Sequence, residues 1–339
     1  MDLIKKSYVA LTVLLTMGAG FLQADQSWSG NGAPCGDVQD YGCQPQCYEQ
    51  SKGRFFVGAD LLYWIPRTQG LERDFGTSSI TQATVGDGIE VKSTEEMDVD
   101  PKFKWNVGYR IAAGYQFACS DLEIDAFWAH FQSTGNRRKS QDAYSLNFGK
   151  YRVKLDQIDV VAAYNISLEC SLTFKPFLGV RGTRIRQSVK AQVITDILIE
   201  PDTFAISTRI WEDYQRFTGI GPVFGLQGDW NIGSGFGVYG TATGSVLYSF
   251  DKIRFEDSQA FSAPISQLTL TEGKKNTHRY NCNMDLTLGL RWQICLMDCF
   301  YLTMKLGFEH HQYFNASHLG ICRDDLCFDG GIFSIDIAL

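Results

Sequence analysis

The chain has 339 residues and a formal net charge of −7, and 44% of its residues are hydrophobic. That length is sufficient to bury a large core in one or two domains. The acidic balance argues against non-specific nucleic-acid binding, because neutralising phosphates requires clustered Lys and Arg side chains. No apolar run after residue 30 approaches 18 uncharged residues, which excludes a helical membrane protein beyond that point. The 33 glycines and the 13% aromatic content favour β structure instead.

The first 24 residues have the pattern of an export signal. Lys5 and Lys6 form a positively charged start, an apolar run follows over residues 9–21, and Ala24 precedes the expected cleavage site. The alternative, a helical anchor, is disfavoured because the apolar run is short for a bilayer span. We predict that residues 1–24 are a signal peptide and that the mature protein is exported.

Residues 25–52 differ in composition from the sequence that follows. They are rich in Gly, Gln, Ser and Pro, contain three cysteines and show no hydrophobic period. This composition predicts an irregular N-terminal tail that lies outside the main fold of residues 53–339.

From residue 55 onward, apolar residues alternate with polar or small ones, as they do in β-strands. In residues 284–294, for example, the even positions are apolar, and Asp285 and Arg291 lie between them. Runs of 11–14 residues are longer than the strands of a soluble sandwich, and they suit a barrel whose apolar face contacts lipid. Aromatic residues at the run ends are typical of interfacial girdles. They are Trp64, Trp105, Phe117, Trp230, Trp292 and Tyr313.

The connections between the predicted strands alternate in length. Short ones lie near residues 119–120, 170–171, 231–234 and 296–298, and long ones cover 66–102, 135–150, 190–205, 255–278 and 315–330. Outer-membrane barrels have this asymmetry, with short periplasmic turns and long external loops. We therefore predict an all-β, antiparallel transmembrane β-barrel of about 10–14 strands, with both chain ends and the tail in the periplasm. The alternative is a soluble β-sandwich.

Several segments carry a resemblance to a known family. They are FFVGADLLYW at 55–64, QGLE at 69–72, WNVGYR at 105–110, FKPFLGVRG at 174–182, GIGPVFGL at 219–226, LGLRW at 288–292 and LGFEHHQYF at 306–314. In their order and spacing they resemble the Legionella-type pore-forming outer-membrane proteins, which include the major-outer-membrane-protein-like porins of chlamydia-related bacteria. The resemblance implies an outer-membrane porin and supplies no catalytic residues.

The predicted function is passive diffusion of small hydrophilic solutes through a polar lumen in the bacterial outer membrane. The charged residues of the polar strand faces are then expected to line the lumen as a mixed-sign electrostatic surface. They are Arg110, Glu123, Asp125, Asp159, Arg181, Asp229, Asp285, Arg291 and Lys305. The open alternatives are a narrow barrel filled by its own side chains and a structural or adhesive surface protein. No nucleophile elbow or phosphate-binding glycine loop occurs in the sequence, so we predict neither an enzyme nor a cofactor.

Ten cysteines in an exported chain are candidates for disulfides. Those at short turns or in the tail belong to the periplasmic side of the predicted topology, where they could link the barrel to itself, to a second copy or to other envelope proteins. Cys322 and Cys327 are instead candidates for a local pair on the external side. The disulfide candidates are Cys35, Cys43, Cys47, Cys119, Cys170, Cys295, Cys299, Cys322 and Cys327. Their spacings are poor zinc patterns, and we predict no metal site.

The sequence Glu309-His310-His311 is the other candidate for metal binding. Consecutive side chains of a strand point to opposite faces, so the two histidines cannot bind one metal ion together. We expect this segment to lie at the membrane interface near the external rim.

Overall fold

The computed structural model describes residues 53–68, 102–118, 120–141, 144–169, 171–200, 203–261, 268–297, 300–317 and 324–338. The chain separates into two compact units, Met1–Gln39 and Asp40–Leu339, and every described residue belongs to the second. The predicted signal peptide 1–24 and tail 25–52 therefore lie outside the described residues. Among the residues described, no helix is long and apolar enough to cross a membrane.

The described residues form twelve β-strands. They are β1 (Arg54–Thr68), β2 (Lys102–Phe103), β3 (Asn106–Gln116), β4 (Leu122–Gln141), β5 (Tyr144–Tyr164), β6 (Ile166–Glu169), β7 (Leu172–Glu200), β8 (Thr203–Gly233), β9 (Phe236–Phe261), β10 (Leu268–Met297), β11 (Phe300–Ser317) and β12 (Asp324–Ala338). The two short strands extend the sheet locally, β2 beside β4 and β6 beside β7.

The ten long strands form a closed antiparallel barrel. Strand β1 pairs with β3 on one side and with β12 on the other, and every remaining long strand pairs with its two neighbours. Closure leaves no strand with an unpaired edge. A sheet within lipid requires this, because no water is present there to form hydrogen bonds with unpaired backbone N–H and C=O groups. The prediction of an all-β antiparallel barrel is confirmed, at the lower end of the expected strand number.

The alternation seen in the sequence separates the outer wall from the interior. Outward-facing side chains such as Ile111, Val160 and Leu288 are apolar and exposed, with 66% of Leu288 accessible. Inward-facing side chains, such as Asp159 on β5 and Arg181 on β7, are buried. The wall is therefore apolar where it contacts lipid and the interior is polar.

The short connections lie at one end of the barrel. A two-residue turn, Ser234–Gly235, joins β8 to β9, and both residues have positive φ values, 53° and 79°. Phe56, near the start of β1, is in register with Ala338 at the end of β12, so β1 begins and β12 ends at this end of the barrel. Even strand number and short turns place this end in the periplasm.

The opposite end differs from the prediction of long external loops. The predicted loops 135–150 and 190–205 are continuations of strand pairs, which reach Gln141↔Tyr144 between β4 and β5 and Glu200↔Thr203 between β7 and β8. Most of 255–278 is likewise paired between β9 and β10. Beyond the lipid both faces of a strand contact water, so its residues need not alternate between apolar and polar. The backbone hydrogen bonds between the strands nevertheless continue, and the sequence pattern therefore missed these parts of the strands. Residues 69–101 of the first predicted loop lie outside the described residues.

Candidate functional site

The interior near the short-turn end is lined by ion pairs. Lys175 on β7 approaches Glu123 and Asp125 on β4, with Nζ 2.6 Å from Glu123 Oε1 and 3.1 Å from Asp125 Oδ2. Lys305 Nζ lies 2.9 Å from Asp336 Oδ2 between β11 and β12. Each cation here has a carboxylate on another strand, so the charges are largely compensated in pairs.

A third pair in this region is looser. Arg291 Nε on β10 lies 3.7 Å from Asp229 Oδ1 on β8. Both side chains are half-buried, and β9 lies between their strands in the sheet. Gly237 on β9 makes room for the guanidinium group, because a Cβ atom there would lie 3.3 Å from Arg291 Nη2.

At mid-height an ion bridge crosses the lumen. Arg181 on β7 donates from Nη2 to Asp159 on the adjacent strand β5, at 2.7 Å. Its Nη1 donates to Asp285 on β10, at 2.5 Å, although β8 and β9 separate these two strands in the sheet. Arg181 therefore connects strands that are not neighbours in the sheet, and its side chain reaches across the interior of the barrel.

The bridge continues through a buried histidine. His311 Nδ1 lies 2.9 Å from Asp285 Oδ1, and its Nε2 lies 3.2 Å from Glu309 Oε2. Glu309 also accepts a hydrogen bond from Arg110 Nη2 at 2.9 Å, and Arg110 Nη1 lies 3.2 Å from Asp60 Oδ2. A chain of alternating charges thus links β5, β7, β10, β11, β3 and β1 across the barrel.

These groups surround a cavity of about 200 Å³. Its lining includes six carboxylates but only four Lys or Arg side chains and one histidine. The carboxylates are Asp60, Asp125, Asp159, Asp285, Glu309 and Asp336, and the cations are Arg110, Lys175, Arg181 and Lys305. When all of these groups including His311 are ionised, their formal charges sum to −1.

Tyr239 on β9 narrows the cavity from one side. Its ring lies against Gly289 and Gly307, where a Cβ atom would come within 2.8 Å of Tyr239 Cε1 and within 2.6 Å of the hydroxyl oxygen, respectively. Lys305 Nζ lies 5.8 Å from the centre of the ring. The two glycines are therefore required for this aromatic side chain to lie flat on the inner wall.

Above the charged layer the interior is filled by apolar side chains. Trp64, Phe131 and Phe328 are buried, with ring centroids 5.4 Å apart for Trp64–Phe131 and 5.6 Å for Phe131–Phe328. Tyr313 adds a cross-lumen hydrogen bond from its hydroxyl group to Gln157 on β5. The predicted aromatic girdle is therefore wrong for Trp64 and Tyr313, whose strand positions point inward, whereas Trp105, Phe117 and Trp230 are exposed on the outside.

The end of β11 turns into the lumen above this apolar layer. Asn315 has a positive φ of 52°, and the pairing of β11 with β12 is interrupted between Tyr313 and Ser317. The carbonyl oxygen of Ala316 accepts hydrogen bonds from Gln215 on β8 at 3.0 Å and from Gln187 on β7 at 3.4 Å. Ser317 Oγ donates to Gln187 Oε1 at 3.1 Å.

Asn281 on β10 holds the same segment from the other side. Its Nδ2 donates to the carbonyl oxygens of Phe314 and Asn315, at 3.0 and 3.2 Å. Since β7 and β8 lie three or four strands away from β11, residues 314–317 extend across the interior. We call residues 314–317 the inner segment; it closes the lumen towards the long hairpins.

All nine residues predicted to line a lumen lie on the inner face in the ion pairs described above. The sequence interpretation missed their partners Asp60, Lys175, Glu309, His311 and Asp336. Each occupies an inward position of the same period-two pattern, so the alternation itself could have identified them.

The histidine segment is divided between the two faces. His310 lies on the outer wall with Nδ1 2.5 Å from Asp329 Oδ1, whereas His311 is inside. The opposite orientation of the two rings agrees with the sequence argument, but the expected interfacial position is wrong for His311. Within the described ranges, no group of three or more His, Cys, Asp and Glu side chains is placed to hold a metal ion.

Two cysteine side chains are described, and both are free thiols. Cys282 is exposed on the outer wall of β10, and Cys327 is buried on β12. Cys327 is in register with Arg67 and Gln312, and it does not form the expected local pair with Cys322. The side chains of Cys35, Cys43, Cys47, Cys119, Cys170, Cys295, Cys299 and Cys322 lie outside the described residues.

A closed antiparallel barrel with an apolar wall and a charged interior defines an outer-membrane β-barrel protein. Residues 49–327 match the family described as the Legionella pneumophila major outer membrane protein precursor. The chain belongs to this family and is a protein of the bacterial outer membrane. No curated protein matches the chain.

Solved structures similar to the chain are also outer-membrane proteins. The outer membrane protease OmpT from Escherichia coli is 12% identical with a TM-score of 0.45, covering 84% of this chain and 96% of that one. Ail, the attachment invasion locus protein of Yersinia pestis, is 10% identical with a TM-score of 0.24, covering 85% and 99%. A Pseudomonas aeruginosa FadL homologue is 7% identical with a TM-score of 0.31, covering 86% and 91%.

Proposed function

We propose that the protein is a porin that allows small hydrophilic solutes and ions to diffuse through the barrel. The observation that carries this proposal is the charged cavity of about 200 Å³ inside a wall that is apolar only on its outer face. A barrel that served only as an anchor could fill its interior with apolar side chains, as this one does in the layer of Trp64, Phe131 and Phe328. The charged half instead offers hydrated ions a polar environment within the bilayer.

Transport is favoured over catalysis by the pairing of the interior charges. A general acid or base needs a proton-transferring group that can reach a substrate. Here the carboxylates of Asp285 and Glu309 are both held by cations on other strands, in salt bridges of 2.5 and 2.9 Å. Such groups shape an electrostatic path rather than a reacting centre.

The surplus of carboxylates makes the proposed pore selective for cations. Six carboxylates face four Lys or Arg side chains around the cavity, so a mobile cation experiences a lower energy there than an anion. Reversal potentials in a salt gradient test this directly. We expect a cation preference that decreases in the double variant Asp60→Asn/Asp336→Asn, whereas an anion preference in the native protein would contradict the charge argument.

The inner segment acts in this proposal as the gate. Conduction requires residues 314–317 to leave the lumen, because their hydrogen bonds to Gln187, Gln215 and Asn281 bridge it. It also requires the apolar side chains that fill the lumen below them, such as Trp64 and Phe131, to move aside. Each bond between neutral groups contributes about 1 kcal/mol, so removing the three bonds that Gln187 and Gln215 form with this segment should shift the closed-to-open ratio roughly 150-fold.

Single-channel recording in planar bilayers tests the porin and its gate together. We expect Gln187→Ala/Gln215→Ala to open more often than the native protein. The control Gln132→Ala removes an exposed amide on the outer face of β4, away from the inner segment, and it should leave opening unchanged. Folded protein that gives no current steps, in the native form or in the double variant, would refute the porin.

A structural or adhesive surface protein is the second candidate function. It is favoured by the closed external half of the lumen and by the paired hairpins, in which β7 and β8 reach Glu200 and Thr203. In this case we propose that cysteines near the periplasmic end link the barrel to envelope proteins or to a second copy. Non-reducing electrophoresis of envelopes, with free thiols alkylated first, should then give high-molecular-weight bands. A monomer band unchanged by reductant would exclude this linkage.

A further inference from the structure

Four cations lie side by side on the outer wall of the barrel. The strand registers pair Lys154 with Arg186, Arg186 with Arg216, and Arg216 with Lys252, on β5, β7, β8 and β9. Residues in register point to the same side of a sheet, and neighbouring strands lie about 4.8 Å apart. We call these four residues the outer basic row; it extends about 15 Å across the wall.

The row lies just beyond the lipid-facing wall. Four residues closer to the periplasm, the same strands present Ile158, Gly182, Ile220 and Tyr248, which are in register with one another. Ile158 and Ile220 are exposed apolar side chains that contact lipid in this topology. Four strand residues span about 13 Å, so long Lys and Arg side chains can reach back to the headgroup layer.

The described neighbours do not neutralise this row. Asp156 lies one position nearer the lipid, but it is shared between Arg186 and His130, at 3.0 and 2.6 Å. Arg184, in register with Asp156, adds another exposed cation. Farther from the membrane, Glu212 is already paired with Lys190.

The like charges of the outer basic row repel one another across adjacent strands. Charges of one sign directly opposite each other on adjacent strands destabilise a sheet, and here three such contacts follow in succession. In addition, Arg186 Nε is buried and has no hydrogen-bond partner among the described residues. A guanidinium group with an unused donor beside two more cations is suited to a phosphate group, which Arg binds through parallel hydrogen bonds.

We propose that the outer basic row binds the phosphate groups of a phosphorylated glycolipid in the outer leaflet. The acyl chains would lie on the apolar wall formed by Ile158, Ile220 and Tyr248, and the headgroup phosphates would lie between Arg186 and Arg216. The lipid is the source of the phosphate because the row is continuous with this wall. The bound phosphates offset the repulsion within the row and fix the barrel's depth in the membrane.

Binding to lipid A tests the proposal on the full-length protein in nonionic micelles. Bisphosphorylated lipid A should bind and raise the unfolding temperature, and dephosphorylated lipid A and inorganic phosphate should have little effect. In Arg186→Gln/Arg216→Gln we expect at least about tenfold weaker binding of lipid A, from the loss of two charge-assisted contacts. The control Lys102→Gln/Lys104→Gln removes two exposed cations beside β4, outside the row, and should retain binding.

Two further variants separate binding from folding. Arg216 makes no ion pair with the described residues, so Arg216→Gln should fold normally and, without lipid A, be at least as stable as the native protein. Arg186→Lys/Arg216→Lys keeps both charges but loses the parallel hydrogen bonds, so its affinity for lipid A should lie between those of the native protein and Arg186→Gln/Arg216→Gln. Undiminished binding by Arg186→Gln/Arg216→Gln would overturn the site. Equal stabilisation by inorganic phosphate would overturn the assignment to a lipid.

Discussion

The cross-lumen bridge predicts a large stability loss when its central cation is removed. Arg181→Met deletes the guanidinium group but keeps a long, flexible side chain of similar reach. The carboxylates of Asp159 and Asp285, which are 8% and 6% exposed, then lose their shared partner. Breaking a buried ion pair from one side costs about 3–5 kcal/mol, because the remaining charge is left uncompensated.

The remaining contacts place the expected loss at the lower end of that range. Asp285 keeps His311 at 2.9 Å, and Asp159 keeps a hydrogen bond from Gln157 Nε2 at 3.0 Å. We therefore expect Arg181→Met to lower the free energy of unfolding by about 3 kcal/mol. The triple variant Arg181→Met/Asp159→Asn/Asp285→Asn removes the orphaned charges and should return to within about 1 kcal/mol of the native protein.

Urea unfolding in lipid vesicles, followed by tryptophan fluorescence, measures both values, provided that the denaturant slope stays constant. The matched control is Arg209→Met, which removes an arginine paired with Asp257 on the exposed hairpin and should cost less than about 1 kcal/mol. If the single variant loses less than the control, or the triple variant as much as the single, the bridge does not stabilise the barrel as argued.

Three further predictions concern the wall and the topology. Leu288→Arg places a charge near the middle of the lipid-facing run of β10 and should cost about 2–4 kcal/mol in the same unfolding assay; a neutral result would mean that the strand register is wrong by one residue. An epitope inserted at Ser234 should be hidden from antibodies on intact cells and one inserted at Lys275 should bind them, and the reverse pattern would invert the topology. Cys282 should react with a lipid-soluble maleimide but slowly with a membrane-impermeant one, whereas Cys327 should react only after unfolding, and rapid labelling of Cys327 in the folded barrel would contradict its burial.

The alternation of apolar and polar residues was sufficient to predict the barrel and the orientation of its strand faces. Side chains in a strand alternate with a period of two, and lipid and lumen impose opposite requirements on the two faces. The pattern around Leu288 therefore identified the outer wall, and the positions of Arg110 and Arg181 followed as inward. The same rule separated His310 from His311, although it could not say how far from the rim they lie.

Which inward-facing side chains contact one another depends on how the sheet closes into a barrel. Arg181 and Asp285 are 104 residues apart in sequence and on strands that do not pair, and their contact depends on the diameter and stagger of the closed barrel. The inner segment was also invisible in the sequence, because the turn at Asn315 is local but its partners Gln187 and Gln215 lie on distant strands. The period-two alternation indicates which face of a strand contacts lipid and which faces the lumen. It contains no information about contacts across the lumen, because those contacts form only when the sheet closes.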